Sequence, residues 1–302
     1  MKNLILGFAT NITSDAAAIF LRSARAAHPE SEVDIVLITN DTLQLDKLAH
    51  ETSAELVKTT STYGRPVGRM DRYTRRILIE VLRRLSRSRF SRFSPEFSAG
   101  YFALMEAWQH PHIIRWNAYR DFLSFRRNYA NVALCDVKDV VFQASAFDDL
   151  QKEAVIIGED SEPMSGNDEN SQWIIRAFGR KIWSRFEGKT PLCVGVIVGP
   201  ASAIQRMVEE FHAEFFAAPF GKVEQALFNR MYFEGSFSVD IQALTNPGRI
   251  ATLSGEGGRN SVICENGVIL DSHSKAAFPV VHMYDRFPDI LDAVRKRFVS
   301  EA

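Results

Sequence analysis

Between Asn131 and Gln143 the chain reads Asn131-Val-Ala-Leu-Cys-Asp136-Val-Lys-Asp139-Val-Val-Phe-Gln143, an apolar, β-rich run that reaches two carboxylates and then continues as apolar sequence. Val132 to Cys135 predict an interior strand covered on both faces, because consecutive apolar residues leave no polar face for solvent. Two ionised side chains at the carboxyl end of such a strand are costly unless cations or hydrogen bonds compensate them. A divalent ion supplies that compensation, and oxygen ligands suit Mg²⁺ or Mn²⁺, with bound phosphates completing the shell. The alternative from the same residues is a strand end whose acids cap a turn or pair with Lys138 and nearby arginines.

The preceding sequence places this strand in a larger pattern. Asn3 to Phe8 reads as a strand ending at Thr10-Asn11, Asp15 to Ala27 as a helix, and Val33 to Thr39 as a second strand, with another at Ala54 to Val57. Strand, helix, strand units build a parallel sheet with right-handed crossovers and place ligands at the carboxyl ends of the strands. The Met1 to Ala9 segment lacks the length and cleavage site of a signal peptide and reads as the first strand. No apolar run approaches the roughly 18 residues that span a bilayer. Three cysteines, Cys135, Cys193 and Cys264, stand far apart without a CxxC pair, which indicates neither a disulfide framework nor a zinc site and fits a reducing cytoplasm. With 302 residues and no linker rich in Pro, Gly or Ser, the expected organisation is one domain, 1–302, with a first half over 1–145 and a second over 146–302.

In the second half, Val155 to Gly158 and Leu192 to Val198 read as strands, Asp160 to Gln172 as an acidic, mobile loop, and Ser202 to Phe216 and Val223 to Tyr232 as helices. Three further pieces carry chemistry. Cys193-Val-Gly195 lies in a strand whose glycine permits close approach of a ligand to the backbone. Glu224-Gln225 brings a carboxylate and an amide together near a helix start, where an acid is favourable in any case. Pro279-Val-Val-His282-Met-Tyr-Asp-Arg286 brings an imidazole to the end of an apolar strand.

In this order the pieces resemble the GT-A glycosyltransferases, in particular the glycogenin-like and galactosyltransferase-like branch and its bacterial relatives. The resemblance implies an α/β fold of GT-A type: a Rossmann-like, mostly parallel central sheet with helices on both faces and a smaller acceptor-side lobe. It implies a cytoplasmic, metal-dependent transferase that moves a sugar from a nucleotide-diphosphate-sugar donor to an acceptor hydroxyl, such as one on a surface glycan or its precursor. Carried over by motif, Asp136 and Asp139 are the acidic pair on Mn²⁺ or Mg²⁺ and His282 is a further ligand. Arg115, on the helix before the acidic strand, assists the donor, in preference to Arg120. Thr10 and Asn11 stand where such folds receive base and ribose, Gly195 lies close to the donor, and Glu224 and Gln225 face the reacting sugar. This sequence departs from the pattern twice. Its acids are separated by two residues instead of one, which requires a turn between them, and Cys193 replaces the asparagine of an Asn-x-Gly segment.

The formal net charge of -1 hides one asymmetry. Arg65 to Arg92 contains ten arginines against Asp71 and Glu80, a formal +8. Within it Ile77, Leu78, Val81, Leu82 and Leu85 have amphipathic helical spacing. Such a segment is a solvated helix packed on the body, or a surface for anionic lipid or glycan; nucleic acid is least suited, since aromatics for base stacking are not interleaved. A second reading of the whole chain, with the altered acidic spacing and Cys193 as signs of lost chemistry, is a non-catalytic binding protein on the same fold that uses the helix at 72–92 for an anionic partner.

Overall fold

The computed structural model describes residues 1–59, 73–75, 77, 78, 81, 111–126, 128–150, 153–215 and 224–299. Strand β1 (Lys2–Ala9) divides its side chains between two cores. Leu4, Leu6 and Phe8 enter one apolar layer, while Ile5 and Ala9 enter the other, as the two-residue period of a strand requires. The same alternation sorts residues on β2 (Val33–Thr39), flanked by β3 (Ala54–Lys58). On β4 (Tyr129–Asp136) it sets Val132 and Leu134 against Ala133 and Cys135. With β6 (Val155–Glu159), β7 (Leu192–Pro200) and β8 (Ile241–Leu244), these strands form a seven-stranded sheet in the order β3-β2-β1-β4-β7-β6-β8. Only β7 runs against the common direction.

Helices cover both faces. On one side α1 (Ser14–Ala27) and α2 (Thr42–Glu51) bury Phe20, Leu21 and Leu45 against Ile35, Leu37 and Cys135. Their starts are set by Thr13, which accepts from the Ala16 amide at 3.3 Å, and Asp41, which accepts from the Gln44 amide at 3.2 Å. On the other side lies α3 (Pro111–Phe125), followed in sequence by α4 (Glu169–Phe178) and α5 (Arg180–Trp183), which belong to a satellite cluster around Met164, Ile174 and Phe186. Helices α6 (Ala201–Phe215) and α7 (Glu224–Phe233) complete that side, where Trp116, Phe211 and Phe228 meet with ring centroids 4.4 to 6.0 Å apart.

A second, smaller sheet joins β5 (Val140–Phe142), β9 (Ile250–Thr252) and β12 (Val280–His282) in the order β5-β12-β9. Between β9 and β12 lie α8 (Gly255–Asn260) and the hairpin β10 (Val262–Glu265) and β11 (Val268–Asp271), and α9 (Pro288–Phe298) packs Ile290 and Val294 into the same core. The mostly parallel central sheet, its helical layers and the smaller lobe are those expected from the sequence. The segment expected as a loop to Gln172 instead becomes helical at Glu169, because Asp168 accepts from the Ser171 amide at 2.8 Å and caps a new helix. The segment before Pro111 and most of the arginine-rich helix at 72–92 lie outside the described residues. Tyr73–Arg75, Ile77, Leu78 and Val81 are helical there. Among the described residues no helix is long and apolar enough to cross a membrane.

One buried histidine ties α1 to the segment after β5. His28 Nδ1 lies 2.7 Å from the Ala24 carbonyl oxygen, and Nε2 accepts from the Ala146 amide at 3.0 Å, between the rings of Phe142 and Phe147. Both nitrogens are satisfied only by the neutral ring with its proton on Nδ1. Burial holds its pKa below 6.5, against the opposing pull of the Ala24 carbonyl. The unfolded chain therefore takes up this proton first. The contribution of His28 is complete above about pH 6.5 and is lost as the pH falls below it, at up to about 1.4 kcal/mol per pH unit. In urea titrations at pH 8 and pH 5, His28→Gln should lose less stability than the wild type on acidification; equal losses would refute this role.

Candidate functional site

β4 ends at Asp136, which pairs with Phe8 of β1, so Thr10 and Asn11 at the end of β1 lie beside it. The chain then leaves the central sheet at Val137 and enters the small sheet at Val140. Val137 anchors this transfer: it is buried against Gly7, where a Cβ would lie 2.5 Å from Val137 Cγ2. Asp139 closes the turn, and the pairing of Val140 with His282 brings the imidazole next to it. The Met283 amide donates to the Asp139 carbonyl at 2.8 Å, and Met283 itself adopts a left-handed φ of 63°, which turns the chain away just after His282.

Asp136, Asp139 and His282 thus form a group that could hold a metal ion, with one ligand atom from each lying within 4.8 Å of the others. His282 Nε2 is 3.4 Å from Asp139 Oδ1 and 3.7 Å from Asp136 Oδ2. Among the described residues this buried nitrogen has no partner at hydrogen-bonding geometry. A buried imidazole nitrogen facing two carboxylates is a mixed donor set that fits a divalent ion such as Mn²⁺. The two-residue spacing of the acids spans a turn between sheets: Asp136 ends a strand of the central sheet and Asp139 immediately precedes the first strand of the small one.

Burial would push the Asp139 carboxyl up, but the His282 charge, with Arg286 and Lys138 beyond it, holds it below the usual carboxylate range. Burial would likewise strip the proton from His282, yet Cys193 and Asp139 outweigh it and push this pKa up to about 10; Nε2 then carries a proton toward the carboxylates, and a divalent ion would take that proton's place. Gly195, expected close to the donor, lies directly against His282. A Cβ on Gly195 would lie 2.1 Å from His282 Cε1, so the space it leaves is taken by the imidazole itself.

Beside the acidic group stands a buried ion network. Arg115 reaches Asp136 Oδ1 with Nη1, and its Nε donates to Glu224 Oε1 at 2.7 Å. Trp116 Nε1 donates to the same Glu224 oxygen, and His112 Nδ1 lies 3.2 Å from Oε2. Burial opposes ionisation of Glu224, but Arg115, His112 and Trp116 together hold its pKa below the ordinary value. Arg120 turns elsewhere and meets His212 Nε2 at 2.9 Å. Lys138 pairs with Asp285 at 3.1 Å, not with either acid of the turn.

These elements surround a cavity of about 330 Å³ lined by Thr10, Asn11, Arg115, Asp136 and Asp139, together with His112, Lys138 and Arg286. Glu224 and Gln225 do not line it: Glu224 lies beneath Arg115, and Gln225 donates to Asn170 Oδ1 at 2.7 Å. Among the described residues the buried Thr10 hydroxyl has no hydrogen-bond partner. The last three lining residues were not assigned to the site from the sequence. His112 sits three positions before Arg115, on the same helical face, and Arg286 four after His282; those offsets were the available signals.

No family model and no curated protein matches the chain. Among solved structures, that of galactosyltransferase LgtC in complex with donor and acceptor sugar analogs is similar over 99% of this chain and 97% of that one, at 11% sequence identity and a TM-score of 0.49.

Removing Glu224 leaves the Arg115 guanidinium buried with half its compensation gone. Glu224→Ala is expected to cost about 3–5 kcal/mol in urea unfolding, as for other broken buried pairs. A loss below about 1 kcal/mol, the size of a surface ion pair, would show that the network does not hold the site.

Proposed function

We propose that this protein is a metal-dependent glycosyltransferase of GT-A type that transfers a sugar from a nucleotide-diphosphate-sugar donor to an acceptor hydroxyl, on a surface glycan or its precursor. One observation carries the reading: two carboxylates on the wall of a cavity at the carboxyl ends of β1 and β4 converge with the buried imidazole of His282 behind them. Open α/β sheets bind their ligands at that edge.

In this reading Asp136, Asp139 and His282 hold Mn²⁺ or Mg²⁺, and Thr10 and Asn11 receive the nucleoside end of the donor. The ion, when bound, offsets the negative charge that develops on the diphosphate as the glycosidic bond breaks. Arg115 holds Asp136 in place and presents a fixed positive charge to the same region. Glu224 acts through Arg115 by neutralising and orienting it, while Gln225, tethered to Asn170, orients the acceptor side. Lys138 and Arg286 extend the positive wall toward solvent, with side chains 68% and 49% exposed.

The test is a thermal-shift screen of nucleotide sugars with and without Mn²⁺, since a ligand of the native state raises its stability. At 100 times the dissociation constant the gain is about 2.7 kcal/mol. The midpoint should rise only when both components are present, and Asp139→Asn should abolish the rise. A screen in which no nucleotide sugar shifts the wild type would sink the proposal.

A location at an anionic membrane surface is favoured by a separate observation. Tyr73, Ile77, Leu78 and Val81 are exposed apolar residues within the sequence that carries the formal +8. Apolar contact plus cationic charge is the combination that binds such surfaces. Co-sedimentation with vesicles containing phosphatidylserine should fall several-fold when Arg83, Arg84 and Arg87 are changed to Gln; unchanged sedimentation would remove this reading.

A further inference from the structure

The two ring nitrogens of His282 face different partners. Nε2 looks toward Asp139 and Asp136, while Nδ1 lies 3.4 Å from Cys193 Sγ. Cys193 and Gly195 occupy alternate positions on β7 and so share one face of the strand. One lacks the Cβ that would collide with the imidazole, and the other sets a sulfur against its far nitrogen. Both Cys193 and His282 are buried, so no solvent competes for that nitrogen.

We infer that Cys193 is a positioning residue whose Sγ accepts a hydrogen bond from His282 Nδ1–H, fixing the tautomer that leaves the Nε2 lone pair for a divalent ion. This rests on the metal reading of Asp136, Asp139 and His282. An imidazole nitrogen ligates only through its lone pair, so the proton of a ligating ring must sit on the other nitrogen, where an acceptor selects it. A thiol sulfur is a weak acceptor, but in a buried site it is the partner Nδ1 has. The cysteine that breaks the Asn-x-Gly pattern thereby acquires a different task from sugar recognition: it orients an imidazole.

The experiment uses the full chain, ¹⁵N-labelled at histidine, with Mg²⁺ as the probe. Cys193→Val removes the acceptor at similar volume, and Cys193→Ser keeps an acceptor of shorter reach. Long-range ¹H–¹⁵N spectra with Mg²⁺ bound should show His282 protonated at Nδ1 and bare at Nε2. Mg²⁺ affinity should fall 10- to 100-fold in Cys193→Val, the usual effect of losing such a partner. Cys193→Ser should retain more of it, with thermal midpoints of both variants close to wild type. A proton on Nε2 alone, or unchanged Mg²⁺ affinity in Cys193→Val, overturns the inference. Should wild type bind neither Mg²⁺ nor Mn²⁺, the metal reading fails by itself, and exchange of the Nδ1 proton decides the contact. Faster exchange in Cys193→Val supports it, and equal exchange overturns it. If the Val variant does not fold, the same exchange comparison is made with Cys193→Ser: a changed rate supports the contact and an equal rate overturns it.

Discussion

Two missing Cβ atoms make the site possible. The chain must pass from the central sheet to the small one within three residues of Asp136, and it does so by seating Val137 where Gly7 has no side chain. On the other side, β12 must bring His282 against β7 closely enough to meet Asp139, and Gly195 leaves that room. Interiors are close-packed, so an added methyl at either position displaces a neighbour instead of filling a void. The acids and the imidazole are held by backbone register, Phe8 with Asp136 and Val140 with His282, not by flexible side-chain reach.

The charges around this frame form an alternating chain: Glu224, Arg115, Asp136, then His282 and Asp139. Arg115 is nearly fully buried, and one carboxylate shared with solvent would not compensate it. With Glu224 beneath it and Asp136 beside it, the guanidinium is compensated twice. Only one Asp136 oxygen is thereby engaged, which leaves Oδ2 on the His282 side. Buried ion networks of this kind contribute little net stability relative to apolar packing. Geometry is what this one supplies, because each member restricts the rotamer of the next.

Much of the fold was legible in the sequence because its central strands are long apolar runs. β1, β2, β4 and β7 bury both faces and are bounded by turn residues, so they stand out without an alignment. β8, short and half-buried, carries no such run. α9 is announced only by Pro288 at its first turn and the Ile290 and Val294 pair. At the site, Asp136, Asp139 and His282 were readable as separate strand ends, and a pairing of strands distant in sequence assembled them. The contacts of Gly195 and Glu224 were not readable. What fills the space beside a glycine, or which cation a buried acid meets 109 positions away, depends on tertiary contacts that no local pattern encodes.

The distribution of charge around the cavity is itself an argument about its occupant. Its floor is acidic, with Asp136 and Asp139 at the sheet ends. Its rim carries Lys138, Arg286 and the segment Ile12-Thr13 that precedes helix α1, with the buried Arg115 beside Asp136. The first turn of a helix presents unpaired amides and the positive end of the peptide dipoles, a ready partner for phosphate oxygens. A simple cation would be repelled by the rim, and a simple anion by the floor. The proposed donor, a divalent ion on one side of a phosphate group, would satisfy both at once, with each of its charges facing a group of opposite sign.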